Sequence, residues 1–393
     1  AARVLKGKHM FDYETLKFIW WCLIGFLFIG FAITDGMDMG VGGLLPFVAK
    51  KDVESRVVIN TVGAHWDGNQ VWFITAGASL FAAWPLVYAA AFSGFYFAMM
   101  LTLFSLFLRP LAFDYRSKID SLKWRTNWDK ALFVGSMVPP LVFGVAFGNL
   151  LQGIPFGFDE LMRVTYTGSF FALFTPFTLL TGVISVAMML MHGSTWLVMR
   201  TDADVAQRSA NIGRVVALVL SLTFALGGIM VWQSIDGYLV VSTIDTMGQA
   251  QPTIKEVTTS SGAWFTNYNE TPLLWLIPAI GILTPLAVAL LLSIKNKNTS
   301  VKIFAFIGSS LTITSIILTA GIAMFPFVMP SSSMPNHSLL MWDTVSSEGT
   351  LGLMFMVVVF FIPIILGYTL WCYKKMWRTV TIAEIEQNNH TAY

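Results

Sequence analysis

The chain places two carboxylates inside an apolar stretch that is long enough to cross a bilayer. Asp35 and Asp38 lie three residues apart, on one face of a predicted helix, within the apolar run 18–46. A charged side chain at that depth costs free energy, so it usually faces a protein interior or a water-filled path and marks a proton or ion route. The pattern therefore predicts that protons or ions are handled inside a membrane.

Two further polar groups lie at the ends of neighbouring apolar runs. The first opens the run 65–84 and contains His65 and Asp67. The second follows the run 86–108 and consists of Arg109, Asp114, Arg116 and Lys118. Carboxyl groups that are buried near cations have the adjustable proton affinity that a proton inlet needs. We therefore interpret the three groups as candidates for one proton path.

Several of these residues also have an ordinary structural explanation. Asp35 lies among glycines and could cap a helix or hydrogen-bond at a turn. Arg109 and Asp114 lie at the predicted bilayer edge, where long cations snorkel and loop ion pairs are common. His65 could be a hydrogen-bonded interfacial residue. These explanations remain open alongside the proton path.

Histidine is too scarce in this chain to predict a haem site. The five histidines are His9, His65, His192, His337 and His390. Haem in membrane enzymes commonly has His or Met axial ligands, yet no pair of histidines falls in the middle of the apolar runs and no C-x-x-C-H motif occurs. No spacing typical of a zinc site occurs either. We therefore predict neither haem nor metal ligands in this chain.

The composition is that of a membrane protein. Of 393 residues, 55% are hydrophobic and only 12% are charged, compared with roughly 25% in soluble proteins, and the mean hydropathy is +0.68. The net charge of +2 does not indicate a nucleic-acid partner. Both cysteines, Cys22 and Cys372, lie in apolar runs, so no disulfide framework is predicted. We predict an all-α, polytopic integral membrane protein.

Nine apolar stretches approach the roughly 20 residues that a membrane-spanning helix needs. They are 18–46, 65–84, 86–108, 131–150, 168–192, 212–232, 271–294, 301–323 and 350–373. Lysine and arginine concentrate in the loops after the first, third, fifth and seventh stretches and after the ninth, whereas the opposite loops hold only Arg163 and Lys255. Because basic residues favour cytoplasmic loops, we predict an outside (periplasmic) N-terminus and a cytoplasmic C-terminus.

The chain is predicted to form a single transmembrane helical domain, residues 10–378, followed by a cytoplasmic tail, 379–393. Residues 1–9 precede a methionine that has the features of a natural start, so we interpret them as an extension. Two loops on the predicted outer side are long, 233–270 and 324–349. The second contains a run of prolines and serines, which favours a structured, non-helical cap.

Five strings in the chain resemble subunit II of the bacterial cytochrome bd quinol oxidases. They are FAITDGMDMGVG (31–42), HWDGNQVW (65–72), RP with FDYRSK (109–118), GVAFGNLLQG (144–153) and GIAMFPFVMPSS (321–332). The resemblance extends in order from Met10 to the C-terminus, and strings of this length are far more specific than a short motif.

The resemblance implies a heterodimer in the bacterial inner membrane, often with very small single-helix accessory subunits. Such a complex oxidises ubiquinol or another quinol and reduces dioxygen to water. The resemblance places all three haems, two haems b and one haem d, and the site of quinol oxidation in subunit I. Subunit II is implied to supply stability, a route for protons or oxygen and, in some members, a structural quinone site.

The resemblance also assigns roles to particular residues. Asp38 and Asp67 match the carboxylates of a candidate proton path, beside Trp66. Trp72 matches a tryptophan near a proposed oxygen route. The matching polar positions at the cytoplasmic mouth are Asp114, Arg116 and Lys118. Without the resemblance, both tryptophans are equally typical of packing or interfacial aromatics.

Three hypotheses of function follow. In the first, the chain relays protons through Asp38 and Asp67 to a haem-bearing partner in an oxidase that need not pump. In the second, it is a proton- or cation-coupled secondary transporter, a class marked by midplane carboxylates and broken helices, although the carboxylates here cluster at one side. In the third, it is a structural scaffold whose polar groups only bind a partner, so every buried acid could be neutralised without kinetic cost.

Overall fold

The computed structural model describes residues 11–295 and 297–387, and most of them belong to helices. The predicted extension 1–9 and the last part of the predicted tail, 388–393, lie outside the described residues. The helices are α1 (Tyr13–Val48), α2 (Asp52–Asn60), α3 (Trp66–Ala83), α4 (Pro85–Gly94), α5 (Tyr96–Tyr115), α6 (Leu122–Gln152), α7 (Pro176–Arg200), α8 (Ala203–Ser234), α9 (Thr266–Glu270), α10 (Leu276–Ser293), α11 (Thr299–Met324), α12 (Glu348–Met376) and α13 (Ile382–Gln387).

Among the described residues, eight helices are long and apolar enough to cross a membrane, and α3 with α4 makes a ninth candidate. The prediction of a polytopic helical membrane protein is therefore confirmed. The side of the membrane that each terminus faces, and the division into domain and tail, stay predictions.

The predicted boundary between the second and third spans, at Pro85, is confirmed, but the third span, 86–108, is not one helix, because α4 ends at Gly94. The chain bends by 118° between α3 and α4 and begins another helix, α5, at Tyr96. The cause of the bend lies at Trp84 and Pro85. Proline has no amide hydrogen and restricts the residue before it, so Trp84 leaves the helical conformation and Pro85 takes the first position of α4.

The predicted fifth span, 168–192, also begins too early. The 3-10 turn Phe171–Leu173 falls within it, and α7 begins only at Pro176. The side-chain hydroxyl of Thr175 accepts a hydrogen bond from the amide of Thr178 and caps this helix. Proline at the first helical position, after a threonine cap, is a favoured start that outweighs the apolar residues upstream.

The all-α prediction omits short strands that occupy one end of the helix bundle. Within the described ranges there are three two-stranded antiparallel ribbons: β1 (Phe156–Phe158) with β2 (Val164–Tyr166), β3 (Asp236–Val240) with β4 (Val257–Ser261), and β5 (Phe327–Met329) with β6 (Leu339–Leu340). The third ribbon lies in the loop for which a non-helical cap was expected. We call this end of the bundle the ribbon end. The opposite end, where α1, α5, α7 and α12 finish, is the basic end.

Helix α1 is the central element of the bundle, and Lys17 ties it to the ribbon end. The Lys17 side chain is buried, and its Nζ donates to the carbonyl oxygens of Thr246 (2.8 Å), Gly248 (3.0 Å) and Trp342 (2.8 Å). A buried ammonium needs such acceptors to replace water. The three hydrogen bonds fix the position of α1 along the axis of the bundle, relative to the loops around it.

Further along, α1 crosses α7 at a contact between glycines. A Cβ atom on Gly40 would overlap the carbonyl oxygen of Met189 and lie 2.8 Å from Cα of Gly193. Small residues allow helix backbones in membranes to approach this closely. Because Gly40 follows Asp38 by two residues, this contact sets the depth at which α1 presents its carboxylates to its neighbours.

We predict that Gly40→Ala destabilises the fold by about 1–3 kcal/mol, the usual cost of overpacking a tight contact. Gly25→Ala is the matched control on the same helix, because a Cβ there meets nothing within 4 Å. Since alanine favours helices over glycine by about 1 kcal/mol, the control should be neutral or stabilising. Thermal unfolding in mild detergent measures both, and equal midpoints for the two variants would contradict the prediction.

Candidate functional site

Asp35 and Arg109 form a buried ion pair between α1 and α5. Nη1 of Arg109 donates to Oδ2 of Asp35 at 2.9 Å, and Nη2 donates to Oδ1 at 2.6 Å. Both residues have no exposed surface. Bidentate pairing of this kind is the geometry in which a guanidinium best compensates a desolvated carboxylate. Space for the arginine comes from Gly135 on α6, where a Cβ would lie 3.1 Å from Cγ of Arg109.

Asp38 lies one helical turn further along α1 and belongs to a different network. Its Oδ2 accepts a hydrogen bond of 2.8 Å from Nδ2 of Asn69, and Nδ2 also lies 3.0 Å from Nδ1 of His65. Oδ1 of Asn69 accepts a hydrogen bond of 2.8 Å from the hydroxyl of Tyr373 on α12. We call Asp38, His65, Asn69 and Tyr373 the Asp38 cluster.

Two atoms of the Asp38 cluster are buried without a hydrogen-bond partner among the described residues. They are Oδ1 of Asp38 and Nε2 of His65. Nδ1 of His65 lies 3.7 Å from Oδ1 of Asp38. Buried polar atoms in native proteins usually have partners, so unpaired ones call for an explanation such as an unseen water or a role in chemistry.

The turn between α2 and α3 places His65 beside Asp38. The amide of Asn69 donates to the carbonyl of His65, so α3 begins directly after the histidine. The imidazole packs against Trp196 at 5.7 Å and Tyr373 at 4.9 Å between ring centroids. The indole Nε1 of Trp196 donates to the carbonyl of Thr61 at 3.3 Å, which ties α7 to the same turn. Aromatic contacts thus hold the ring on several sides.

Arg116 belongs to a separate ion-pair network at the basic end. Its Nε lies 2.6 Å from Oδ1 of Asp129, and its Nη2 lies 2.8 Å from Oδ1 of Asp52. Arg125 also contacts Asp52, at 2.7 Å. Burial disfavours the charge of Arg116, but the two carboxylates outweigh burial and raise the pKa of the guanidinium. The network joins α2, the end of α5 and α6.

The structure therefore separates the residues that the sequence grouped into one path. His65 and Asp38 come together, and Asp35 with Arg109 lies beside them. Asp67 is exposed, and its Oδ1 accepts a hydrogen bond from the amide of Gly68. Asp114 and Lys118, predicted at the mouth of the path, are exposed on the surface and are not part of the Asp38 cluster, and Arg116 is engaged by its own network.

The two candidate tryptophans are packed against their neighbours. Trp66 stacks on Phe113, with ring centroids 5.2 Å apart. Trp72 is buried beneath Gly30, where a Cβ would lie 2.7 Å from the indole, and packs edge-on against Phe26. Packing thus explains their positions, and a role for Trp72 in an oxygen route stays a prediction.

Sequence reasoning missed Tyr373, Asp52 and Asp129. Tyr373 lies at the end of an apolar run, where a tyrosine is typical of a membrane interface. The two aspartates lie in charged loops whose pairing depends on how the helices pack. Spacing along the chain carries no signal for any of these contacts.

The described histidines other than His65 are held by hydrogen bonds within the chain. His192 is fully buried, with Nδ1 bonded to the Ser309 hydroxyl and Nε2 to the Ile33 carbonyl. Nδ1 of His337 accepts a hydrogen bond from the amide of Phe158. In the ranges 11–295 and 297–387, no group of three or more His, Cys, Asp or Glu residues could hold a metal ion.

We predict that Arg109→Met destabilises the protein by about 3–5 kcal/mol, because it leaves the Asp35 carboxylate buried without its cation. The double variant Asp35→Leu with Arg109→Met should recover most of that loss, since an apolar pair of similar size needs no compensation. Thermal unfolding in detergent compares the two. A double variant as unstable as the single one would show that the ion pair is not the source of the effect.

Comparison with known proteins identifies the family. Residues 16–376 match the family model described as cytochrome bd terminal oxidase subunit II. The chain is 56% identical to cytochrome bd-I ubiquinol oxidase subunit 2 of Escherichia coli (strain K12), over 98% of this chain and 100% of that protein. A relative in Haemophilus influenzae is 53% identical, with the same coverage.

A solved structure shares the fold. The bd oxidase from Geobacillus thermodenitrificans contains a chain that matches with a TM-score of 0.65, at 13% sequence identity, over 91% of this chain and 98% of that one. The family match and the full-length relatives agree, and together they carry the assignment. The chain belongs to the cytochrome bd terminal oxidase subunit II family.

Proposed function

We propose that this chain delivers protons from the basic end to the oxygen-reducing site of its partner in a bd-type quinol oxidase. Membership of the family makes the chain one subunit of a membrane-bound terminal oxidase and implies a subunit I partner. In the proposal, that partner holds the two haems b and the haem d, oxidises ubiquinol or another quinol, and reduces dioxygen to water. Those haems supply the electron transfer and oxygen chemistry, and this chain supplies protons and structural support.

One observation carries the proposal: Asp38 is a buried carboxyl that no guanidinium or ammonium of the described residues contacts. Only 1% of its surface is exposed. The two buried carboxyls of α1, Asp35 and Asp38, lie beside a single buried guanidinium, Arg109, which binds Asp35 with both nitrogens. A charge in a low-dielectric interior is costly without a partner. The free-energy cost of this buried group is therefore smallest when Asp38 carries a proton, and we propose that this proton can exchange.

The neighbours of Asp38 suit the movement of that proton. Oδ1 is the oxygen left without a partner, and the His65 imidazole is 3.7 Å away, a distance that a small rotation or one bridging water spans. Histidine is the side chain best able to accept and release protons near neutral pH. Asp67 lies on the exposed surface of α3, two residues before Asn69 of the Asp38 cluster. Asp67 is thus placed to pass protons to a partner docked on that surface.

In this proposal the complex generates a proton motive force without pumping. Protons for water formation enter from the basic end, which the loop charges predict to be cytoplasmic, while protons from quinol leave on the other side. The bacterial inner membrane is the location that the family membership favours. Accessory subunits, a structural quinone and an oxygen route stay predictions.

The two competing hypotheses are less well supported. A coupled transporter usually has paired broken helices around a midplane site, whereas the described residues contain one bent pair, α3 with α4, and the buried acids lie towards the basic end of α1. Membership of an oxidase family also favours the oxidase. The scaffold hypothesis differs in predicting that neutralising Asp38 has no kinetic effect.

We predict that Asp38→Asn lowers quinol-dependent oxygen uptake at least tenfold in the assembled complex, because the amide cannot bind and release the proton. Haem content, measured by the reduced-minus-oxidised spectrum, should stay unchanged. Asp204→Asn is the control, since that side chain is 85% exposed at the basic end. Full turnover in a haem-loaded Asp38→Asn complex would support the scaffold instead.

Asp67→Asn tests the exposed step independently. We expect slower oxygen reduction with normal assembly, because the lost carboxylate makes no contact that the core of this chain needs. Oxygen uptake per haem d is the measurement. Unchanged turnover would exclude Asp67 from the relay, and loss of haem together with activity would indicate a structural role at the partner interface.

A further inference from the structure

Tyr373 connects the C-terminal part of the chain to the Asp38 cluster. Its hydroxyl donates to Oδ1 of Asn69 at 2.8 Å, across 304 residues of sequence. Its ring lies against His65, and it meets Trp196 edge-on at 6.2 Å between centroids. The phenol thus contacts the proton-handling residues without touching Asp38 itself.

The bond from Tyr373 decides which way the Asn69 amide points. An asparagine side chain has one acceptor oxygen and one donor nitrogen. Because the Tyr373 hydroxyl donates to Oδ1, the nitrogen is turned towards Oδ2 of Asp38 and Nδ1 of His65. With this orientation, Oδ2 of Asp38 is occupied as an acceptor. Oδ1 is left as the oxygen that faces the incoming proton.

A segment after α12 fixes the position of Tyr373. Nε of Arg200 donates to the carbonyl of Arg378 at 2.8 Å, and Nη2 donates to the carbonyl of Met376 at 2.7 Å. The amide of Val380 returns a hydrogen bond of 2.8 Å to the carbonyl of Arg200. We call residues 376–387 the C-terminal strap. Three hydrogen bonds with Arg200, two from its side chain and one to its carbonyl, hold the strap and the last turn of α12 at the end of α7.

The strap is also packed against the basic end. Val380 and Ile385 are buried together with Val57 of α2. The guanidinium of Arg200 lies over the Trp196 ring, 4.8 Å from its centroid, and the same indole contacts His65. The strap, α7 and the α2–α3 turn therefore form one continuous contact that ends at the Asp38 cluster.

We propose that Tyr373 is a positioning residue for proton transfer: by holding the Asn69 amide, it keeps Oδ1 of Asp38 available and Oδ2 hydrogen-bonded. This inference rests on the proposed role of Asp38 as a proton carrier. Tyr373 acts through Asn69 and does not itself carry the proton.

The groups that could titrate or act by charge on Asp38 come from five helices. They are Asp35 on α1, His65 and Asp67 at the start of α3, Arg109 on α5, Arg200 on α7 through His65, and Tyr373 on α12. Removal of the Tyr373 hydroxyl leaves every charge in this set unchanged. A shift in the pH profile then reports the orientation of Asn69 and not a lost charge.

The test is Tyr373→Phe in the complete oxidase, assayed with a short-chain ubiquinol across pH. The ring contacts remain, but the Asn69 amide can turn its oxygen towards Asp38, which favours the protonated carboxyl. The loss of the hydrogen bond between Tyr373 and Asn69 should slow turnover about fivefold. The alkaline limb of the pH profile of oxygen uptake should move upward by about 0.7 pH unit. Tyr115→Phe, an exposed tyrosine at the basic end, is the control and should leave the profile unchanged.

A double variant separates this inference from the proposed function. If Tyr373 acts through Asp38, adding Tyr373→Phe to Asp38→Asn causes no further loss. An equal fivefold loss in both backgrounds would overturn the inference while leaving the role of Asp38 intact. If Asp38→Asn alone is fully active, the proposed function fails first.

Arg200→Lys is the second variant, and it decides the question if Tyr373→Phe does not assemble. A lysine ammonium lacks the rigid, planar set of N–H donors with which Arg200 binds both strap carbonyls. Arg200→Lys should therefore move the alkaline limb of the pH profile in the same direction as Tyr373→Phe does, by a smaller amount. Spectroscopic haem content confirms that the assayed complexes are intact. An unchanged pH profile in an assembled Tyr373→Phe or Arg200→Lys complex would contradict the inference.

Discussion

The ion pair between Asp35 and Arg109 divides the buried carboxylates of α1 into two kinds. Because the guanidinium binds Asp35 with two nitrogens, no comparable cation remains within hydrogen-bond reach of Asp38 among the described residues. One carboxylate thus becomes a structural link between α1 and α5, and the other keeps the freedom to exchange a proton. In an apolar bundle each charge needs a partner. Because only one of the two aspartates has a cation as its partner, the two residues can have different roles although their side chains are the same.

The rest of the fold supports that arrangement by fixing α1 along its length. Lys17 anchors one end through three carbonyl groups, and the close contact at Gly40 and Gly193 sets the approach to α7 near the other. A helix held in this way cannot slide or rotate without breaking several contacts at once. Its carboxylates are therefore presented at a fixed depth, which a proton carrier needs if it is to meet the same neighbours in every turnover.

Much of this could be predicted from the sequence, for identifiable reasons. The helices are visible because bilayer crossing demands long apolar runs, and Asp38 and His65 stand out because titratable groups in such runs are costly. The boundary errors at Tyr96 and Pro176 arose because hydropathy registers apolar character and not the residue at which a helix begins. The ribbons were missed since strands of two to five residues leave no periodic pattern.

The composition of the cluster was harder to predict than its location. Asn69 is 31 residues from Asp38, and Tyr373 is 304 residues from Asn69. Such contacts depend on which helices pack side by side. The spacing of residues along the sequence does not indicate this. The surface position of Asp67 has the same origin, because a polar residue at the start of a helix gives no sign of which face will be covered.

Helix α12 is the least buried of the spanning helices, with only 6% of its apolar window inside the chain. Its own subunit holds it mainly near its two ends, by the bond from the Trp20 indole to the Leu351 carbonyl and by the Arg200 contacts with the strap. A subunit that has not met its partner therefore has little to keep the middle of α12 in place. Tyr373 lies at the end of α12 that Arg200 holds, so the Asn69 amide keeps its orientation without a partner, and it is the apolar middle of α12 that a partner subunit or lipid must cover.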